Sequence, residues 1–163
     1  MDILTEALKE TPWWVYVLFI YLVIIGLTAT RPRTFSLKKL FIFPLILTIW
    51  NILWLLERLQ AHYGLFLFWP FGLIVGGYLG WIMVRSWKIS IEKSKQSITL
   101  PPTWSTLILI LLIFAIRYFF VYNYEVHPEI APHLFLADAL ISGVITGIFI
   151  GRAFHLYNKY LKF

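Results

Sequence analysis

Four ionisable side chains lie within or beside long apolar stretches of this sequence: Glu57, Arg58, Arg117 and Asp138. Ionisable groups inside a membrane span are energetically costly, so they are candidates for function. Two arginines could clamp a carboxylate or a phosphate, because the guanidinium fork binds such groups through two parallel hydrogen bonds. Asn51 shares a predicted helix face with Arg58, at a spacing of seven residues. These five residues are therefore the predicted ligand-binding set.

The same charged residues could instead hold the helices together. Long arginine side chains in a membrane extend toward the headgroups while their stems stay in the apolar layer. Arg58 and Arg117 could pair in this way with Glu57 and Asp138, and the four formal charges sum to zero. On this interpretation the set binds no ligand.

The remaining polar residues offer little for catalysis or for a metal. The chain has no cysteine, which excludes disulfides and thiolate metal sites. His127 and His133 are six residues apart across prolines, which is not a recognised ligand spacing, and His155 stands alone near the C-terminus. No phosphate-binding glycine loop, nucleophile elbow or zinc-protease motif is present. We expect no catalytic residue and no cofactor. The alternative is a weak external metal site near His62, His127 and His133.

The elements that must position these residues are apolar helices. Of the 163 residues, 60% are hydrophobic and only 13% are charged, whereas soluble domains carry about 25% charged residues. Five apolar runs of roughly 17–20 residues each have the length that crosses a bilayer core as a helix. The sequence predicts an all-α membrane protein, a single integral domain over 1–163 built as a bundle of five transmembrane helices. Their expected ranges are about 12–30, 40–59, 66–85, 104–122 and 134–157.

Loop charges predict the orientation of this bundle. Basic residues gather in the segments 31–39 and 85–103 and in the C-terminal tail, whereas the other connecting segments are neutral or acidic. Basic loops stay in the cytoplasm. We therefore expect the N-terminus outside and the C-terminus inside, with membrane lipids rather than nucleic acid as partners of the net charge of +6.

The longest predicted cytoplasmic loop, 86–103, has an alternating pattern. Apolar residues alternate with polar ones on either side of the polar tip at Lys93 and Lys95. Such alternation is typical of a short β-hairpin. A solvated connector without regular structure is the alternative.

Two helical hairpins of the sequence resemble each other. The third and fifth helices align at an offset of 67 residues, which places Arg85 on Arg152. The second and fourth align at an offset of about 59, which places Arg58 on Arg117. The sequence therefore predicts a parallel internal repeat of two hairpins, with the first helix outside the repeat.

Small residues recur every four positions on the third and fifth helices. Residues this small let two helix backbones approach closely in a membrane. We expect a tight contact between these two helices, with a homodimer contact as the alternative. The glycines concerned are Gly72, Gly76, Gly80, Gly143, Gly147 and Gly151.

Three short stretches carry a resemblance to known proteins. They are Thr11-Pro-Trp-Trp-Val15 followed by Arg31-Pro-Arg33, Gly76-Gly-Tyr-Leu-Gly80 ending in Arg85, and Pro102-Thr-Trp104 leading to Arg117-Tyr118. The chain resembles small bacterial inner-membrane proteins of the DUF6622 type and, more distantly, the CcdC-like (DUF1453) group. The resemblance implies a multi-helix bundle in a bacterial cytoplasmic membrane, and it implies no activity or catalytic residue.

Two functions from different classes fit these observations. The first is non-enzymatic binding or transport of a small anionic or lipid-like ligand, with the arginines as its binding groups. The second is a structural or accessory subunit that packs against a larger membrane complex. A homodimer or another membrane protein is the expected protein partner.

Overall fold

The computed structural model describes residues 13–58, 64–92, 97–126 and 129–162. Within these ranges the chain forms five α-helices and three short strands. The helices are α1 (Trp13–Thr28), α2 (Leu37–Arg58), α3 (Leu65–Arg85), α4 (Trp104–Val126) and α5 (Ala131–Lys162). The strands are β1 (Arg33–Ser36), β2 (Ser90–Glu92) and β3 (Ser97–Leu100).

Four of the helices, α2 to α5, are long and apolar enough to cross a membrane. The fifth, α1, contributes a shorter apolar stretch, Val15–Thr28. Large apolar side chains lie exposed along these helices, including Trp50 in α2 and Phe71 in α3. An apolar surface of this kind has lipid as its natural solvent. The fold is therefore that of a multi-pass membrane protein.

The C-terminal helix is longer than its apolar run. The sequence indicates an end near residue 157, whereas α5 continues to Lys162 and contains 32 residues. A helix of that length spans about 48 Å, compared with about 30 Å for the hydrocarbon core of a bilayer. α5 is therefore longer than the apolar layer is thick.

The chain divides into two compact units. The first unit, Met1–Pro32 with Pro102–Ala131, contains α1 and α4. Within it, the rings of Phe19 and Phe114 lie 5.0 Å apart between centroids. The backbone N–H of Thr103 donates to the carbonyl of Ala29 at 3.1 Å. Aromatic packing and this hydrogen bond join the two helices of the unit.

The second unit, Arg33–Pro101 with Pro132–Phe163, contains the other three helices and a small sheet. The strand order is β1-β3-β2, and both pairs are antiparallel. β2 and β3 lie in the predicted loop 86–103, where a hairpin and a solvated connector were the alternatives. β1 was not expected, because four residues between Pro32 and a long helix are too few for a clear alternating pattern. The hydroxyls of Thr34 and Thr99 meet across β1 and β3 at 2.9 Å.

α3 and α5 meet along a seam of glycines within one chain. A Cβ added at Gly76 would overlap the backbone of Val144, and one added at Gly80 would overlap that of Ile148. On the facing side, a Cβ at Gly147 would overlap the carbonyl of Leu73. Each of the two α3 glycines meets the α5 residue 68 positions further on (144 − 76 and 148 − 80). The two helices therefore run parallel, and their C-terminal ends lie at the same end of the unit.

Candidate functional site

Two residues of the predicted ligand-binding set, Asn51 and Asp138, are buried within the second unit. The amide Nδ2 of Asn51 in α2 donates to its own helix at Leu47 O, at 2.7 Å, and across to Thr146 Oγ1 in α5, at 3.2 Å. The hydroxyl of Thr146 in turn donates to Ser142 O at 2.9 Å. Hydrogen bonds of this kind between membrane helices contribute about 0.6 kcal/mol on average. This polar track therefore joins α2 to α5, which is a packing role for Asn51.

The remaining members of the predicted set lie in other elements or have side chains outside the described residues. Arg117 lies in α4, in the first unit. The side chains of Glu57 and Arg58 lie outside the described residues. Asp138 lies beside Ala139, which belongs to an apolar cluster with Leu55. Ligand binding by this set stays a prediction.

A second group of polar side chains gathers where the seam ends, at the C-terminal ends of α3 and α5. It combines cationic residues with two indole rings. We call it the basic–aromatic cluster, and its members are Trp81, Arg85, Trp87, Arg152, His155 and Lys159.

Each arginine of the cluster is stacked on a tryptophan. The guanidinium carbon of Arg85 lies 5.5 Å from the ring centroid of Trp81, and that of Arg152 lies 5.5 Å from the ring centroid of Trp87. A ring face attracts a cation through its quadrupole, and the guanidinium N–H donors lie in the plane of the group. The stacking therefore orients the arginines without using all of their donors.

Lys159 ties the end of α5 to the end of α3. Its ammonium donates to the backbone carbonyl of Arg85 at 2.9 Å and to that of Trp87 at 3.0 Å. Arg85 is the last residue of α3, so its carbonyl has no partner within the helix. A cation is also favourable at the negative end of a helix dipole. This contact fixes the end of α3 and the position of Trp87, whose ring Arg152 contacts.

The cluster places positive charge out of contact with solvent. Arg152 is only 7% exposed and His155 only 8%. Arg152 donates to the sulfur of Met83 at 3.6 Å, and thioether sulfur is a weak acceptor. The charges that act on His155 are those of the cations Arg85, Lys159 and Lys162. An arrangement with this excess of positive charge favours an anion.

Sequence reasoning missed this site because it assigned Arg85, Arg152 and the lysines to orientation and to lipid headgroups in general, and not to one cluster. A signal was present: Arg152, His155 and Lys159 recur at spacings of three and four, which places them on one face of a helix. The alignment of Arg85 with Arg152 also pointed to this end of both helices. Nothing in the sequence indicates the burial of Arg152, which depends on the α3–α5 contact.

An apolar groove of about 450 Å³ lies along α2 in the same unit. Pro44 interrupts the helix there, because proline has no N–H to donate. The hydroxyl of Thr48 donates to the carbonyl of Pro44 at 2.8 Å, so this polar group is satisfied within the helix. The groove is lined by Phe41, Ile42, Pro44, Leu45, Thr48 and Ile150. Such a surface suits a hydrocarbon chain.

Among the described residues, no group of three or more histidine, cysteine or acidic side chains is arranged to hold a metal ion. No protein-family model matches the chain, and no match was found among curated proteins or solved structures.

Proposed function

We propose that this protein binds an anionic, lipid-like ligand within the membrane and catalyses no reaction. The observation that carries the proposal is the basic–aromatic cluster, where the cationic groups of Arg85, Arg152 and Lys159 gather at one end of the unit beside the buried ring of His155. Such a concentration of positive charge attracts an anion. The cluster also contributes donors that a neutral ligand would use poorly.

A lipid is a suitable source of the anion because of where the cluster lies. It is formed by the last turns of α3 and α5, and α5 is long enough to extend from the apolar layer into the headgroup region. Basic sites at the cytoplasmic ends of membrane helices are a recurrent binding place for anionic headgroups. The apolar groove on α2 offers a hydrocarbon chain a surface in the same unit.

The proposed arrangement in the membrane is a five-helix bundle with the N-terminus outside and the C-terminus inside, built on a parallel internal repeat. Basic loop segments and the parallel course of α3 and α5 support it. The resemblance to DUF6622-type proteins would place the bundle in a bacterial cytoplasmic membrane. On this arrangement the basic–aromatic cluster faces the cytoplasmic leaflet, where anionic lipid headgroups are available to it.

Reporter fusions test that arrangement. Fusions at residues 35, 62, 95, 127 and 163 should alternate between inside and outside, beginning inside, because each lies in a different connecting segment or at the C-terminus. An enzyme reporter that is active on one side only gives the readout. Two successive fusions on the same side would contradict the topology, and an outside signal at residues 95 and 163 would move the cluster to the other leaflet.

Lipid titration followed by native mass spectrometry tests the function itself. The protein in gentle detergent should bind phosphatidylglycerol at least tenfold more tightly than phosphatidylcholine. The two lipids share the phosphate and the chains, but only the first carries a net negative charge. A charge-assisted hydrogen bond contributes about 1.5–3 kcal/mol, and about 1.4 kcal/mol corresponds to the tenfold difference. Equal affinity for both lipids would contradict the proposal.

An accessory subunit is the second candidate, and one residue favours it. Tyr78 lies near the middle of α3, and its side chain is 63% exposed. A phenol hydroxyl in hydrocarbon lacks a hydrogen-bond partner, which is unfavourable, whereas a partner helix could supply one. A photoreactive amino acid at position 78 should crosslink to another protein in membranes if this candidate is correct. Crosslinks to lipid alone would count against it.

A further inference from the structure

Nε2 of His155 is a buried polar atom of the cluster, and no hydrogen-bond partner reaches it among the described residues. The ring itself packs against Trp81 in a T-shaped arrangement, with 5.5 Å between centroids. Most buried polar atoms in native structures are satisfied, and an exception calls for an explanation such as a missing ligand. The packing of the ring on Trp81 accounts for its position but leaves the nitrogen unused.

The surroundings of this nitrogen indicate the kind of group that would satisfy it. The guanidinium of Arg85 on α3 lies over the same Trp81 ring that His155 on α5 contacts, and the ammonium of Lys159 adds a second cation. Both cations are donors only. A planar carboxylate is matched by one guanidinium fork, whereas a phosphate offers at least two anionic oxygens in a tetrahedral arrangement and accepts from donors in several directions.

We propose that the cluster receives a phosphate group, with Nε2–H of His155 and the guanidinium group of Arg85 as its donors. The inference rests on the proposed function and specifies the chemical group that the site recognises. For Nε2 to donate, the neutral imidazole must carry its proton on Nε2. If the ligand draws a further proton to the imidazole, both ring nitrogens are protonated and Nε2 still donates.

Access to Nε2 leads past the stack of Arg85 on Trp81. Arg85 is exposed and Trp81 is half-buried, so this stack connects His155 to the surroundings. A phosphate that binds Arg85 draws this side chain toward itself. The exposed arginine is therefore the first contact of the ligand, and His155 is the inner one.

His155→Phe tests the inference, because phenylalanine keeps a planar ring against Trp81 and has no nitrogen. The change should lower the affinity for phosphatidylglycerol about tenfold, which is the effect of losing one hydrogen bond to a charged group. The melting temperature of the lipid-free protein should not fall, because the lost nitrogen has no partner in the absence of ligand. His133→Phe is the matched control: His133 lies at the other end of α5 and is exposed, and its replacement should leave the affinity unchanged.

Inorganic phosphate is the second probe. If it raises the melting temperature of the wild-type protein and competes with phosphatidylglycerol, the phosphate group alone is recognised and a free ion is also a possible source. If only the lipid binds, and His155→Phe weakens it, the source is a headgroup. Both results support the inference.

Unchanged lipid affinity in His155→Phe would overturn the phosphate inference. A fall in melting temperature without a loss of affinity would also overturn it, because that result indicates a packing role alone. In either case, selective binding of phosphatidylglycerol by the wild-type protein would leave the proposed function standing. Failure of the wild-type protein to bind either probe would overturn the proposed function as well.

Discussion

Replacing Gly76 by alanine should lower the melting temperature of the protein in detergent, whereas the same change at the next residue, Gly77, should not. A methyl group at Gly76 would overlap the backbone of Val144, which cannot move aside as a side chain can. A methyl group at Gly77 has nothing nearer than the carbonyl of Gly147 at 3.9 Å. Overpacking of a tight contact costs about 1–3 kcal/mol. Lipid offers no hydrophobic drive that would close the α3–α5 seam again.

The pair of substitutions is matched because both glycines lie in the middle of α3. Alanine is favoured over glycine in a helix by up to about 1 kcal/mol, and this gain is common to both variants. Gly77→Ala should therefore leave the melting temperature unchanged or raise it. The seam joins two helices of one chain, so Gly76→Ala should not change the mass of the solubilised protein. Equal melting temperatures for the two variants, or a change of oligomeric mass in Gly76→Ala alone, would contradict the described seam.

Replacing Arg152 by methionine should reduce the affinity for phosphatidylglycerol at least tenfold without lowering the melting temperature of the lipid-free protein. The lost charge-assisted hydrogen bond is worth about 1.5–3 kcal/mol. Stability should hold because methionine removes a buried charge, which is costly to desolvate, and keeps an apolar stem that packs in the α3–α5 contact. Methionine also keeps a favourable contact with the ring of Trp87, since sulfur packs well against aromatic rings.

Lys88→Met is the control for Arg152→Met. Lys88 follows Trp87 directly and is exposed, so its replacement removes one positive charge from the same end of the unit. A surface lysine contributes about 1 kcal/mol to the attraction of anionic lipid, and the affinity should fall less than about fivefold. A larger loss of affinity in Lys88→Met than in Arg152→Met would show that diffuse surface charge, rather than the buried arginine, attracts the lipid.

The sequence predicts the helices well where apolar length alone determines them. α3 was expected over about 66–85 and spans Leu65–Arg85, because its apolar run ends sharply at a basic residue. The C-terminal third of α5 was harder to predict. Hydropathy falls after Ile150 while the helix continues to Lys162, since contacts such as that of Lys159 with Arg85 and Trp87 stabilise the polar turns.

The basic–aromatic cluster could not be derived from the sequence for a similar reason. A basic residue at a helix end is equally compatible with an exposed orientation charge and with a buried binding group. Whether Arg152 is buried depends on how closely α3 approaches α5. Trp87, which contacts Arg152, lies in a loop, and Lys159 fixes the position of that loop. For Asn51, a polar residue in an apolar run, ligand binding stays a prediction. Its hydrogen bond to Thr146 depends on how α2 packs against α5, which the sequence does not reveal.

Photolabelling with a lipid tests most directly whether an anionic headgroup binds at the ends of α3 and α5. Phosphatidylglycerol with a diazirine close to the headgroup end of one chain would be compared with the matching phosphatidylcholine. We expect labelled peptides from residues 81–88 and 150–160, with a clear excess for the anionic lipid. Equal labelling by both lipids, or labelling concentrated at the opposite helix ends around residues 51–58 and 133–142, would contradict the account.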